Sequence, residues 1–305
     1  MMSISPHIGT LIVLGAIGAV VAGVGLAESP RPVTPQVSAP SQKPFMVFDA
    51  TLYKNKPYLG IYNIHPLAIV YEWRFWSGAP SSQPLPAEHV VRMLAAEHRG
   101  VNEPLVIDIE RWPLKGNAAD VQSAVRRFSA ILAWVKHEIP SVRIGLYGTV
   151  PLPDYWRAIR DPRSLDYRSW QQDNDRLEAI VTQVDALFPS LYTFYPDRQG
   201  WVIYATAQIR EARRKANGKP VYAFLWPQYH ESNLLLSHRP LDPEYWELQL
   251  KTVSDQADGV VIWGGWGDKG PESWDEEAPW WQATKHFLAS HPAIGTARPT
   301  DSIAP

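Results

Sequence analysis

The chain has 305 residues, of which 45% are apolar, 20% charged and 11% aromatic, a composition that builds a packed core and excludes a disordered, collagenous or disulfide-stapled protein. With 29 Lys and Arg against 31 Asp and Glu the formal charge is −2, so no basic footprint points to nucleic acid. The lack of cysteine excludes thiol catalysis, iron–sulfur clusters and thiolate zinc, whereas 14 Trp and 13 Tyr supply flat rings with one polar edge, suited to sugar faces as well as to cores.

The first element is the run IGTLIVLGAIGAVVAGVGLA at 8–27, which contains no charged side chain. It is either a signal-peptide core ending at small residues near 25–27 or an anchor that stays in the bilayer. Both readings place the chain outside: secreted, periplasmic, or membrane-anchored and facing outward. Residues 28–44 carry Pro30, Pro32, Pro35, Pro40 and Pro44 and form an extended linker. Residues 45–290 are one domain, a usual length for an α/β barrel, and 291–305 are a flexible tail.

Within the domain, apolar runs rich in β-branched and aromatic residues recur at 45–51, 67–75, 105–110, 144–148, 186–192, 220–226 and 259–264. Helical patterns lie between most of them. The clearest has Asn117 as cap and Val121, Val125, Phe128, Leu132 and Val135 on one stripe; others are expected at 87–98, 173–184, 201–216, 243–256 and 276–289. Strands alternating with helices imply a parallel sheet with right-handed crossovers, and continuous apolar runs imply that both faces are buried. The interval between the first two runs is too short for a full crossover helix. A doubly wound sheet is the alternative, disfavoured because no glycine-rich nucleotide loop follows the first run.

In a barrel, chemistry sits at the C-terminal ends of strands. Here those ends carry Asp108 and Glu110, Tyr147, Tyr192, the stretch Trp226, Gln228 and Tyr229, and Trp263. Alternation puts Asp108 and Glu110 on one face, with Cα atoms roughly 7 Å apart, and Ile107 and Ile109 on the other. Repulsion between the two carboxylates should raise the proton affinity of one, which makes Glu110 a candidate general acid. An Asp-x-Glu pair can equally form salt bridges with Arg111. Trp112 either touches sugar or packs under its loop, and Trp266, beyond two glycines, is a candidate exposed sugar platform. The alternating charges of 157–176 read as a solvated face. His65, His89, His98 and His230 lack metal-ligand spacing, so neither metal nor cofactor is expected.

Together, VIDIERWP (106–113), IGLYG (144–148), DALFPSLY (185–192), QIREARRKANGKPVYAFLWPQYHES (208–232) and DGVVIWGGWGD (258–268) resemble, in order and spacing, the hyaluronidases of glycoside hydrolase family 56. LAIVYEWRF (67–75) and SSQPLPAEHV (81–90) extend the similarity, which runs from about Phe45 to Trp266 and is poor at 149–170. The resemblance implies a distorted (β/α) barrel of seven strands and substrate-assisted, retaining hydrolysis of a β-linked N-acetylhexosaminide. It implies Glu110 as acid and base, Asp108 as orienter of the acetamido group, Tyr192 and Tyr229 as pocket tyrosines and Trp263 as floor. Tyr147, or Tyr155 after a loop shift, fills a further place, and Trp112, Trp226, Gln228 and Trp266 are expected to bind substrate. The expected partner is a polysaccharide or oligosaccharide, taken by a monomer. Two departures bear on the substrate: no cysteine stands where animal and venom members carry disulfides, and Gln228 stands where an apolar or aromatic residue is expected. A non-catalytic glycan-binding barrel, and a related hydrolase on a sugar without an acetamido group, are the alternatives.

Overall fold

The computed structural model describes residues 44–76, 84–267 and 269–291. The apolar run at 8–27, the proline-rich linker up to Lys43 and the tail after 291 lie outside the described residues. Strand β1 (Met46–Thr51) opens the domain. One turn of 3-10 helix at Leu59–Tyr62 occupies the short first interval, and the chain returns as β2 (Ile64–Pro66) and β3 (Ala68–Tyr71). These are two halves of one extended segment: β2 pairs in parallel with β1, and β3 with β4 (Leu105–Asp108). Pro66 has no N–H to continue the ladder, and the segment changes partner there. The run at 67–75 is therefore strand only as far as Tyr71; from Glu72 it is helix α1 (Glu72–Phe75).

Strand β5 (Ile144–Leu146) pairs with β4. The next position is filled by residues 186–190, joined to its neighbours through Tyr147↔Phe188, Leu187↔Val221 and Ser190↔Phe224. Pro189 interrupts its ladder, so this position is held by isolated bridges instead of a regular strand. Strands β6 (Tyr222–Leu225) and β7 (Gly259–Gly264) follow, and β7 pairs with both β6 and β1. Seven parallel strand positions thus close into a distorted (β/α) barrel, in agreement with the seven apolar runs. After β7 a small antiparallel ribbon, β8 (Trp266–Gly267) and β9 (Gly270–Pro271), projects from the rim.

Helices α2 (Glu88–Ala96), α3 (Ala118–Glu138), α7 (Arg198–Ala216), α8 (Pro243–Ser254) and α9 (Pro279–Ser290) surround the strands close to their expected spans. In α3 the Asn117 side chain accepts the Ala119 and Asp120 N–H groups; Phe128, Leu132 and Val135 of the stripe are buried against β4 and β5, and Val121 packs against Val150 and Leu152. Each fully buried large apolar side chain of such a stripe, Phe128 for example, contributes about 1.5–3 kcal/mol. The helix expected at 173–184 is instead split between α5 (Leu165–Asp175) and α6 (Glu178–Val181), with α4 (Tyr155–Ala158) before them. The Ser164 hydroxyl caps α5 by accepting the Tyr167 N–H, which moves the start upstream. The stretch 157–176 is likewise not only a solvated face. Its charges pair outward, as Arg157 does with Asp154 and Asp173, but Tyr167, Trp170 and Asn174 turn into the core.

Strand alternation sorts the core into layers. Met46, Phe48, Val106, Phe188, Tyr222, Phe224 and Val261 fill the barrel lumen, with Tyr192, Trp226, Tyr147 and Trp263 above them toward the strands' C-terminal ends. The intervening residues, such as Ile107 and Ile109 or Val260 and Ile262, pack outward beneath the helices. Gly145 is required by this packing: a Cβ there would lie 2.3 Å from the Phe188 ring. Most of the tryptophan excess is also structural. Trp170, Trp201, Trp246 and Trp281 are fully buried, and their indole N–H groups donate to Leu152 O, Leu191 O, Thr284 Oγ1 and Glu276 Oε1.

Candidate active site

Asp108 is the last residue of β4, and the alternation that sends Ile107 and Ile109 outward sends Val106, Asp108 and Glu110 to the lumen side. Asp108 is half-buried and Glu110 stands above it at the exposed rim. Burial, then the charges of Glu110 and Glu72, push the Asp108 carboxyl from 3.8 up to about 7. Glu110 is also raised, by burial first and then by Glu72 and Glu231. The deeper carboxylate therefore holds its proton into the neutral range; the repulsion expected within the pair acts on Asp108, whereas Glu110 is raised by burial and by Glu72 and Glu231.

Glu72, the first residue after β3, fixes the rim. Its Oε2 accepts the backbone N–H groups of Glu110 (2.9 Å) and Arg111 (3.0 Å), and its Oε1 accepts Arg111 Nε at 2.7 Å. The Arg111 guanidinium is thereby folded back, 3.7 Å above the Trp76 ring centroid. One carboxylate thus holds the turn that carries Glu110 by three charge-assisted bonds.

Aromatic rings enclose the rest. Tyr192 stacks on Trp263 with centroids 5.8 Å apart, and Trp226 meets Trp263 edge to face at 4.8 Å. The Trp263 indole N–H donates to the Tyr71 hydroxyl at 3.0 Å. Burial pushes the Tyr71 hydroxyl up to about 12, and Asp108 adds to the shift. Tyr147 lies beside Tyr192 with centroids 5.8 Å apart, and its hydroxyl bonds Ser190 Oγ at 3.0 Å. Burial raises both phenols, and Asp108 contributes to each, so both are neutral donors facing the carboxylates. His230 closes the far side, 6.1 Å from Tyr192. The Ser232 N–H donates to its Nδ1, which leaves the proton on Nε2, and burial lowers its affinity for a second.

The structure thus brings Asp108, Glu110, Tyr147, Tyr192, Trp226 and Trp263 together, and other expected site residues fall elsewhere. Trp112 is 5% exposed and packs edge to face against Trp76 and Phe128, under the loop and away from the lumen. Tyr229 turns outward to the layer under α8, where Asp242 and Arg198 act on it. The parity that carries Trp226 inward carries His230, not Tyr229, to the cleft. Gln228 is 7% exposed, covered by the loop that pairs it with Pro240. Trp266 is 48% exposed on the β8–β9 ribbon. Of the two tyrosines that competed for one place, Tyr155 packs on Tyr204 over the start of α7, whereas Tyr147 lies beside Tyr192. Tyr71, Glu72, Ser190, His230 and Glu231 are site residues that the sequence reading passed over. Tyr71 and Glu72 stood inside the quoted run 67–75 and were hidden by reading it as a single strand.

No family model and no curated protein matches the sequence. Among solved structures the fold is similar to bee venom hyaluronidase in complex with a hyaluronic acid tetramer, with a TM-score of 0.55 and 17% identity over 83% of this chain and 99% of that one. A monoclinic crystal structure of bee venom hyaluronidase gives a TM-score of 0.54 and 17% identity over 82% and 99% of the two chains. A hyperthermostable endo-1,4-beta-D-mannanase from Thermotoga petrophila aligns over 81% and 99% with 10% identity and a TM-score of 0.44. The likeness to the bee venom structures establishes the barrel fold.

Proposed function

We propose that the chain is a glycoside hydrolase that cuts a polymer of β-linked N-acetylhexosamine by a substrate-assisted, retaining route. The observation that carries the reading is the Asp108 and Glu110 pair on the lumen side of β4, enclosed by Tyr71, Tyr147, Tyr192 and Trp263. The barrel likeness to hyaluronidase and the motif resemblance support it. In the proposed reaction the pair shares one proton, held by Asp108 in the free protein. An arriving acetamido N–H donates to Asp108 and favours its ionised form, which shifts the proton to Glu110.

Glu110 then gives that proton to the glycosidic oxygen as the C1–O bond breaks. The acetamido oxygen bonds to C1, and ionised Asp108 stabilises the positive charge of the cyclised sugar. Water next attacks C1 and yields its proton to Glu110 as the bond from C1 to the acetamido oxygen breaks, which regenerates the acetamido group with retained configuration at C1; when the product leaves, the proton returns to Asp108 and the starting state is restored. The neutral hydroxyls of Tyr192 and Tyr147 donate toward the acetamido group, and Trp263, held by its bond to Tyr71, forms the floor. The proposal includes export directed by residues 8–27 and action as a monomer without a cofactor.

The test is release of reducing ends from N-acetylhexosamine polymers by the purified chain. Glu110→Gln should lower the rate about 10²–10⁴-fold, and a thiazoline mimic of the cyclised intermediate should inhibit tightly. A Glu110→Gln rate equal to that of the parent removes Glu110 from the role of acid.

A further inference from the structure

The wall of the cleft opposite Glu110 is built by the segment that leaves β6. Its pairing continues past the strand, through Thr193↔Tyr229 and through the His230 N–H, which donates to Thr193 O at 2.8 Å. Alternation therefore turns Tyr229 outward and His230 to the lumen side. Around the barrel, β4 and β6 are separated by two strand positions on one side and three on the other, so His230 faces the carboxylate pair across the lumen. Its neighbour Glu231 is near enough to act on Glu110.

The imidazole is fixed from several directions. The rings of Phe194, Tyr192 and Trp226 surround it, with centroids 5.0, 6.1 and 6.2 Å away. Its backbone carbonyl accepts the Asn233 N–H at 3.0 Å. The Asn233 side chain closes the turn, taking the Leu235 and Leu236 N–H groups on Oδ1 and donating from Nδ2 to Phe194 O at 2.7 Å. A backbone N–H can only donate, so the Ser232 N–H at 3.1 Å uses His230 Nδ1 as its acceptor, and the Ser232 hydroxyl lies 2.9 Å from the same nitrogen. The ring is held in one tautomer, with its proton on Nε2, and burial disfavours a second proton. Among the described residues no group accepts that Nε2–H, and the nitrogen is not enclosed.

We propose that the His230 Nε2–H is a hydrogen-bond donor to an oxygen of the bound glycan, which makes His230 a substrate-binding residue that sets specificity on the wall opposite the acid. The assignment deepens the hydrolase reading above and rests on it. Because Nδ1 is occupied, the ring offers the ligand a donor and no acceptor. It matches a hydroxyl, carbonyl or carboxylate oxygen and discriminates against an ammonium group, which has only donors. A donor already held in place binds without the cost of ordering a free side chain.

Hyaluronan and chitin oligosaccharides, two glycans of N-acetylhexosamine, are the probes. His230→Phe keeps a ring and removes the donor. It should raise KM about three- to tenfold, the worth of one neutral hydrogen bond, and hold kcat within about twofold, because a contact made equally in ground and transition states changes KM alone. His230→Gln, which supplies an N–H again, should recover part of that loss. A second measurement needs no substitution at His230. In the Glu110→Gln variant, which stops turnover, imidazole nitrogen NMR should show the Nε2–H tautomer before ligand is added, and slower exchange of that proton afterwards. A proton on Nδ1 in the free protein, unaltered exchange on binding, or a parental KM in His230→Phe overturns the assignment. So does an equal KM increase in the Phe and Gln variants, the result of a purely structural role. A parent chain that neither binds nor cleaves either glycan overturns the hydrolase reading and this assignment with it, whereas cleavage by the parent with KM unmoved in His230→Phe overturns the assignment alone.

Discussion

Replacing Asp108 by Asn should make the protein more stable and less active, and the stability gain should depend on pH in one direction. The folded state holds the Asp108 proton up to about pH 7, whereas an exposed aspartate releases it near 3.8. Between those values the native state binds one proton more than the unfolded state, so stability falls as pH rises. Each pH unit of such a difference is worth about 1.4 kcal/mol, and the interval spans about three units, so the full loss above pH 7 is about 4 kcal/mol. Asn has nearly the same shape and no charge, so Asp108→Asn should be more stable than the parent by up to about 4 kcal/mol at pH 8. The gap should shrink to about 0.6 kcal/mol near pH 4 and close below about pH 3, where Asp108 is protonated in both states. Urea unfolding at pH 4, 6 and 8, followed by tryptophan fluorescence, gives the comparison directly. A gain that is the same at all three values, or a variant less stable at pH 8, would refute the buried, charge-crowded environment assigned to Asp108.

Glu72→Gln removes a negative neighbour from both acids, so both limbs of the pH dependence of kcat/KM should move to lower pH; an unmoved profile counts against an electrostatic role for Glu72. Trp112→Ala leaves a void between Trp76 and Phe128 and should cost about 3–5 kcal/mol of stability, with KM unchanged in the fraction that folds; denaturant titration and steady-state kinetics separate the two. Tyr229→Phe should keep kcat within about twofold, because the ring faces the outer layer, and a loss of tenfold or more returns Tyr229 to the cleft. Trp263→Phe deletes the donor to Tyr71, with an expected stability loss of about 1 kcal/mol, and should raise KM more than it lowers kcat.

What the sequence carried and what it concealed divide along physical lines. The barrel was readable because each buried strand is a short apolar run between helical patterns, so seven runs predict seven strand positions even where Pro189 leaves only bridges. The Asp108 and Glu110 face was readable because isoleucines flank Asp108 in an extended segment, and period-two alternation needs nothing beyond the strand itself. Alternation ends where the strand ends. Trp112 follows the turn after β4 and parity no longer governs it, so the ring that seemed a sugar contact packs under α3. At β6 parity held farther than expected: it carries Trp226 and His230 inward, and preference for a tyrosine at 229, suggested by the family likeness, obscured that signal. The sign of the cleft was hidden for another reason. Glu72 and Glu231 are 159 positions apart in the sequence and reach the same acid only because the barrel closes. A net charge of −2 is a sum over the whole surface and says nothing about which charges converge. Local polarity at the strand ends is therefore a property of tertiary structure, even where the carboxylate pair itself is written in one strand and the turn that follows.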